Sequence, residues 1–383
     1  MKREEFLQQV SAAFKAHPIV AILGPRQCGK TTLARMFGEE FHNLKSENYF
    51  DLEDVDDLAR LDSPKSALSE LEGFIVIDEV QRKPHLFQTL RVLVDRPKSN
   101  KQFLILGSAS KELLQQSSET LTGRIFYIEL TPFKFNEVED LQRLWHRGGF
   151  PRSFLAIDDP TSFSWRKSYL RTFVEQDIPN LGFKVPAEQL KRFWQMLTHY
   201  HGTIFNASEI GRSLNLSYKT VQQYVDILTD TLMVRQLKPW HANISKRQVK
   251  SPKIYFRDSG LFHTLLGINQ HTPLLMHPKL GNSWEGFALE EVIRHMDVDP
   301  DDCYFWATHA NAELDLLILK DNKRIGFEFK FSDRAKTTKS MAIAMNDLKL
   351  DRLIVIYRGE NSYKLGEKIY AEGLVNFLSK KFK

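Results

Sequence analysis

The stretch Ile19-Val-Ala-Ile-Leu-Gly-Pro-Arg-Gln-Cys-Gly-Lys-Thr-Thr-Leu-Ala-Arg35 decides how this sequence is read. Gly24, Gly29, Lys30 and Thr31 complete the P-loop pattern G-x-x-x-x-G-K-[ST]. An apolar β-branched run (residues 19–23) leads in, and a helix-compatible segment (31–37) leads out. A glycine-lined turn lets backbone N–H groups surround phosphate oxygens, and helix N-terminal amides add to that positive field. The loop residues Gly24, Pro25, Arg26, Gln27, Cys28, Gly29, Lys30, Thr31 and Thr32 are therefore expected to bind a nucleoside triphosphate, ATP. Lys30 reaches the β- and γ-phosphates in this reading, and the Thr31 hydroxyl ligates Mg²⁺. A strand-to-helix turn that merely contains glycines is the bland alternative. It is disfavoured because every position and the flanking context are satisfied.

Working outward, Asn48-Tyr-Phe-Asp-Leu-Glu-Asp54 reads as a short strand ending in carboxylates. Gly73-Phe-Ile-Val-Ile-Asp-Glu-Val-Gln-Arg-Lys-Pro84 is an apolar run closing on Asp78 and Glu79. This is the Walker B arrangement, in which a buried parallel strand carries two carboxylates to its C-terminal edge. Asp78 is expected in the Mg²⁺ shell, and Glu79 is expected to polarise the attacking water. Residues 88–95 have helical spacing. The strand 102–108, expected between the other two motifs, places Ser108 or Ser110 as a γ-phosphate sensor or, equally, as an N-cap. Arg124, on the turn before the last strand, is either an arginine finger for a neighbouring subunit of a homo-oligomer or a solvated, salt-bridged arginine.

These stretches together, with Leu106-Gly-Ser-Ala-Ser110 and Leu121-Thr-Gly-Arg124, resemble a family of prokaryotic AAA+ ATPases. The resemblance runs over nearly the whole chain. It implies a winged-helix segment and then a C-terminal domain, long described as of unknown function, that looks like a PD-(D/E)XK nuclease. The family has an aliphatic residue where Cys28 stands, so this sequence adds a potentially reactive thiol.

The chain has 383 residues, 42% of them hydrophobic and 26% charged. That describes a globular protein of two to three domains, with no apolar run long enough to span a bilayer. The N-terminus lacks the apolar region of a signal peptide. Two cysteines, Cys28 and Cys303, read as reduced thiols, so a cytoplasmic location is expected. A formal charge of +5 permits nucleic-acid binding without demanding it.

In the middle of the chain, residues 163–176 form an aromatic-striped helix read as core or interface packing. From 187 onward three helices follow, with Asn206 or Ser208 capping the second and Ser217 opening the third. They read as a helix-turn-helix, with 233–239 beginning a wing. Ser217, Tyr218, Lys219 and Gln222 would face a DNA major groove. Winged helices also dock proteins, and this one offers few cations for phosphates. Lys246, Arg247, Lys250 and Lys253 form a nearby basic run, whose plain reading is a solvated loop.

The C-terminal region gives a helix (280–295) followed by three strands. Alternation puts Glu328 and Lys330 on one strand face, and Asp315 enters the adjacent strand. D-x₁₂-E-x-K behind a helix bearing Glu resembles the PD-(D/E)XK nuclease core. Glu285 is the better-matched helix ligand and Glu290 the second. Asp315, Glu328 and Glu285 would hold Mg²⁺ or Mn²⁺, and Lys330 would orient water or steady the phosphate. A surface ion pair is the bland reading of Glu328 and Lys330.

The expected architecture is α/β. A P-loop AAA+ ATPase domain with a parallel sheet covers 1–135, a helical linker or lid 136–186, a winged helix-turn-helix 187–268 and a restriction-endonuclease-like domain 269–383. The expected function is ATP hydrolysis coupled to action on DNA by a metal-dependent nuclease-like domain. The alternative is a nucleotide-regulated signalling or assembly ATPase whose C-terminal domain binds DNA or protein without cutting. No membrane partner is expected.

Overall fold

A computed structural model describes residues 1–108, 117–241, 249–310, 312–380 and 382. The chain forms two compact units, one of residues 1–132 with 230–232, the other of 133–229 with 233–383.

The first unit is built on five parallel strands: β1 (Ile19–Gly24), β2 (Tyr49–Asp51), β3 (Phe74–Asp78), β4 (Gln102–Ser108) and β5 (Ile125–Glu129). Their order is β2-β3-β4-β1-β5, so β4 does lie between the P-loop strand and the Walker B strand. The apolar runs are continuous because both faces are covered. On β1, Ile19, Ala21 and Leu23 join one core, while Val20 and Ile22 join the other. β3 and β4 split the same way, with Ile77 and Ile105 on one face, Val76 and Leu104 on the opposite. The register pairs Gly24 with Ser108 and Asp51 with Asp78, which gathers four strand ends along one edge. The acidic segment after β2 folds as two short helices, Val55–Arg60 and Pro64–Ser69, and Asp54 caps the first of them by accepting from the Asp56 and Asp57 N–H groups.

In the second unit, the expected aromatic helix is Asp159–Thr172, prolonged by a π-helical turn Phe173–Asp177. Its Tyr169 and Phe173 are buried in a core with Phe193, Trp194 and Val221, so the stripe packs as expected. The next helices are Ala187–Leu197, Ala207–Leu214 and Tyr218–Asp230. Asn206 caps the second through its side chain, accepting from Glu209 N–H at 3.2 Å. The two-residue strand β6 (Thr203–Ile204) lies between the first and second of them, and β7 (Val234–Pro239) and β8 (Lys253–Phe256) follow. β8 pairs antiparallel with both β6 and β7.

The long helix Leu280–Met296 leads to β9 (Cys303–Ala307), β10 (Glu313–Lys320) and β11 (Lys323–Lys330), an antiparallel meander. Asp321 and Asn322 join β10 to β11 with φ of 51° and 60°, the left-handed pair that a two-residue hairpin requires. A helix, Lys339–Asp347, then crosses to β12 (Arg352–Tyr357), which runs parallel to β11. β13 (Ser362–Lys364), β14 (Ile369–Gly373) and the helix Leu374–Leu378 finish the chain, none of which the sequence reading placed. β7 pairs in parallel with β9, so all nine strands form one sheet, β13-β14-β12-β11-β10-β9-β7-β8-β6. The segments expected at 187–268 and 269–383 thus share a sheet and one compact unit.

Candidate functional site

The carboxyl edge of the first sheet is shaped by two glycines. A Cβ at Gly24 would stand 2.3 Å from the Leu130 carbonyl oxygen, and Gly29 has φ of +102°. The helix Lys30–Phe41 begins immediately, so its unbonded N–H groups face the loop. Lys30 is buried and donates from Nζ to the carbonyls of Gly24 (3.1 Å) and Pro25 (3.0 Å). Thr31 Oγ1 donates to Asp78 Oδ2 at 2.7 Å, and the Tyr49 hydroxyl donates to the same oxygen at 2.9 Å. Burial, then the Asp78 charge, raise the Tyr49 phenol well above its ordinary range and keep it a donor. The Thr31 hydroxyl and Asp78 carboxylate are hard oxygen donors side by side. They fit Mg²⁺, which is commonly held by one or two carboxylates together with substrate phosphates.

Glu79 follows Asp78 in the left-handed region (φ 54°), a conformation that costs a non-glycine residue about 1–3 kcal/mol. Its N–H donates to Asp78 Oδ1 at 2.9 Å, and its carboxylate accepts from the Gln81 amide. Burial pushes the Glu79 carboxyl up, while the nearby Lys30 charge pulls it down. Ser108 is buried beside Gly24 in the register, and among the described residues its Oγ has no hydrogen-bond partner. An oxygen of a bound phosphate would satisfy it. Ser110 lies outside the described residues. Arg26 pairs with Glu53 just beyond β2, and Arg82 Nη2 stands 3.9 Å from the same Glu53 oxygen. Gln27 and Thr32 are exposed on the loop and the first helical turn.

One expectation for this edge is corrected. Cys28 is fully buried, its Sγ directed to the Leu130 carbonyl oxygen at 3.4 Å, and burial raises its thiol, so it is not poised as a reactive thiolate. Arg124 precedes β5, whose first residue Ile125 pairs with Ile19 at the start of β1. It therefore stands at the opposite edge of the sheet from Gly24, about 20 Å away at a strand's rise per residue. Its guanidinium grips Asp95 through Nε (2.7 Å) and Nη2 (2.9 Å), the salt-bridged form of the two open readings. It cannot reach the phosphates of its own subunit.

The second cluster lies on β10 and β11. One step beyond the paired Leu316 and Phe327, Asp315 stands across from Glu328. Lys330 Nζ is 3.7 Å from Asp315 Oδ2 and 3.2 Å from Glu328 Oε2, and the Phe329 N–H donates to Asp315 Oδ2 at 3.1 Å. Burial and the neighbouring Asp315 charge push the Glu328 carboxyl up to about 8. Burial and the same charge bring Glu285, on the helix, up to about 7. Asp315 stays low despite its burial, held by the Lys253 and Lys330 ammonium groups.

Lys253 is the surprise. The sequence reading put it in a solvated basic run, but β8 carries it into this cluster at 3% exposure. It pairs with Glu313 and stands 3.6 Å from Asp315 Oδ1. No local pattern could have marked it, because β8 meets β10 only through the tertiary fold. Among the described residues, no three His, Cys, Asp or Glu side chains stand as a complete metal cage. The expected three-carboxylate set is therefore corrected to a pair, Asp315 and Glu328, bound by ammonium groups, with Glu285 on the helix near enough to feel the Asp315 charge. Glu290 is corrected outright. It is buried against Arg235 (2.5 and 3.1 Å), Arg257 (3.6 Å) and Arg294 (4.0 Å), and these charges hold its carboxyl down at about 2. Three arginines leave it no role as a ligand.

At the start of the helix Tyr218–Asp230, Ser217, Tyr218 and Lys219 are exposed. Ser217 Oγ accepts from the Thr220 N–H at 3.1 Å, and Gln222 donates to Asp226 at 3.2 Å, so both side chains are already engaged. Lys246 and Arg247 lie outside the described residues. His201 is buried and accepts the Phe256 N–H at 3.0 Å, a structural role. Among the described residues no helix is long and apolar enough to cross a membrane.

Residues 16–139 match the AAA domain family, and residues 138–272 and 280–375 match two domains of unknown function, DUF8612 and DUF4143. A Walker-type ATPase of Pyrococcus abyssi is similar at 14% identity and a TM-score of 0.45, covering 69% of this chain and 95% of its own. A RuvB variant of Thermotoga maritima gives 18% identity and a TM-score of 0.29, covering 62% and 90%. Uncharacterised proteins of Mycobacterium tuberculosis and Mycobacterium bovis are each 45% identical over 97% of this chain and 83% of theirs. The chain belongs to the family of these mycobacterial proteins, and its first unit is an ATPase of the P-loop AAA type.

Proposed function

We propose that this protein hydrolyses ATP at the edge formed by Lys30, Thr31, Asp78, Glu79 and Ser108, and couples that hydrolysis to action on DNA by its second unit. Thr31 and Asp78 would hold Mg²⁺, Lys30 would leave the loop carbonyls for the phosphates, and Glu79 would take the proton of the attacking water.

The observation that carries the DNA part is the meeting of Asp315, Glu328 and Lys330 on two adjacent strands. Four carboxyl groups (Glu285, Glu313, Asp315, Glu328) gather with two ammonium groups (Lys253, Lys330), an oxygen-rich setting that suits a divalent cation. Asp315 and Glu328 would hold Mg²⁺ or Mn²⁺, whose chemistry is to polarise a phosphate and activate water. The Phe329 N–H fixes Asp315, and Lys330 steadies charge on the phosphate. The order helix, β9, β10, β11, helix, parallel β12 supports the nuclease-like reading that the motif resemblance implies. The order helix, β6, helix, helix, β7, β8 supports a winged helix-turn-helix, with Tyr218 and Lys219 as the free DNA contacts beside the engaged Ser217 and Gln222. Arg124 would act on phosphate only in trans, in a homo-oligomer.

One observation favours a second reading, in which the C-terminal region binds DNA or protein without cutting. Lys253 is a buried counter-ion that competes for Asp315.

The test follows cleavage of single-stranded, duplex and branched DNA with ATP and Mg²⁺ or Mn²⁺. Wild type is run beside Lys30→Ala and the double variant Asp315→Ala/Lys330→Ala. Cutting that the double variant loses and Lys30→Ala alters is expected. No cutting by any form while ATP hydrolysis persists would leave the second reading.

A further inference from the structure

Both cations of the P-loop are held by acceptors of the protein itself. Lys30 rests on two backbone carbonyls, and Arg26 rests on Glu53. Glu53 lies just past β2, and in the sheet β4 and β3 separate β2 from β1. A loop side chain that touches Glu53 must therefore pass over the carboxyl ends of both intervening strands, where Ser108 and the Asp78–Glu79 pair stand. The positive charge of Arg26 is felt at the Glu79 carboxyl, consistent with that course. With Lys30 on one side and Glu79 on the other, this is the space that a γ-phosphate and its attacking water would occupy.

The Arg26–Glu53 contact is half-exposed, at 29% and 44%, and pairs of that kind are weak. Arg82 stands by the same Glu53 oxygen, so the carboxylate keeps a counter-charge when Arg26 leaves it. A polyphosphate is the stronger acceptor, and its terminal oxygens suit a planar guanidinium.

We propose that Arg26 is a catalytic arginine supplied in cis, and that Glu53 is its resting acceptor. Resting on the ATPase reading, this assigns the discrimination of ATP from ADP to one exchange. The γ-phosphate draws the guanidinium off Glu53, and ADP, lacking that phosphate, leaves the pair closed. In hydrolysis the water oxygen bonds to the γ-phosphorus as the bridging oxygen–phosphorus bond breaks. The electron pair of that bond stays on the β-phosphate of ADP, and the proton of the water passes to Glu79. Arg26 neutralises charge on the transferring phosphoryl oxygens.

The full chain is measured for steady-state ATP hydrolysis and for ATP and ADP affinity, as wild type, Arg26→Gln, Arg26→Lys and Glu53→Gln. Arg26→Gln is expected to lower kcat by about 10³-fold or more, within the range that arginine fingers supply, with ADP affinity within about twofold of wild type. Arg26→Lys recovers part of the rate. Glu53→Gln, which leaves the loop untouched, is expected to lower KM for ATP several-fold without changing ADP affinity. An unchanged kcat in Arg26→Gln, or equal losses of ATP and ADP affinity, would overturn the proposal alone. An unchanged ATP-to-ADP preference in Glu53→Gln would do the same. Absence of hydrolysis by wild type would instead overturn the ATPase reading and this proposal with it.

Discussion

Each of the two units brings lysine and carboxylate to one place, but what holds the lysine differs. At the edge of the first sheet, Lys30 rests on neutral backbone carbonyls. In the second sheet, Lys330 and Lys253 rest on carboxylates, and Lys253 does so at 3% exposure. A hydrogen bond to a carbonyl is exchanged for one to phosphate at little cost, because a charged acceptor replaces a neutral one. A buried ion pair resists exchange, because removing one partner leaves the other charge in a low-dielectric surrounding. The first arrangement is that of a binding loop ready for an anion. The second is a charge-paired cluster that gives up a cation only when another replaces it.

Three variants sharpen this contrast. Lys253→Met keeps the volume but takes from the buried Asp315 one of its two ammonium partners. It should destabilise the protein by about 3 kcal/mol, as loss of one partner of a buried pair does, and lower the thermal midpoint. A midpoint equal to wild type would mean that Lys253 contributes nothing to the cluster.

Glu290→Gln probes the arginine-bound carboxylate. The folded pKa of Glu290, about 2, lies below its ordinary value near 4.5, so its contribution is full above that value and is lost as pH falls toward about 2. The variant should melt below wild type at pH 7, and the gap should narrow as pH is lowered through that window. A gap independent of pH would contradict the assignment.

Arg124→Ala has the smallest expected effect. Its exposed pair with Asp95 contributes little, so the melting curve and the ATPase rate of dilute protein should match wild type. A rate deficit that appears only at concentrations where subunits associate would assign it a role in trans.

The same contrast explains what was legible in the sequence. The P-loop is contiguous because a phosphate cradle is a local object: one turn, one helix start, one lysine. The Walker B strand announces itself by its apolar run, and the parallel sheet follows from continuous burial on both faces. Tyr49 was missed as a donor to Asp78, although its strand had been read. It lies on the neighbouring strand, and only the parallel register brings the two together. For the second cluster, alternation paired Glu328 with Lys330, and the hairpin brought in Asp315. Lys253 and Glu313 were out of reach, since β8 lies about 60 residues before β10 and its lysine looked like any other in a basic run. Glu290 misled for a related reason. A carboxylate on a helix looks the same in sequence whether a metal or three arginines await it, and those arginines come from β7, the segment after β8 and the helix itself.

On the proposed function, the first edge alone carries ATP hydrolysis and the second cluster is a separate site. Phosphate release from ATP is the direct measurement, with wild type beside Asp78→Asn and Asp315→Asn. Asp78→Asn is expected to abolish release, while Asp315→Asn, if folded by its melting curve, retains it. Release that survives Asp78→Asn, or that vanishes in a folded Asp315→Asn, would contradict that proposal.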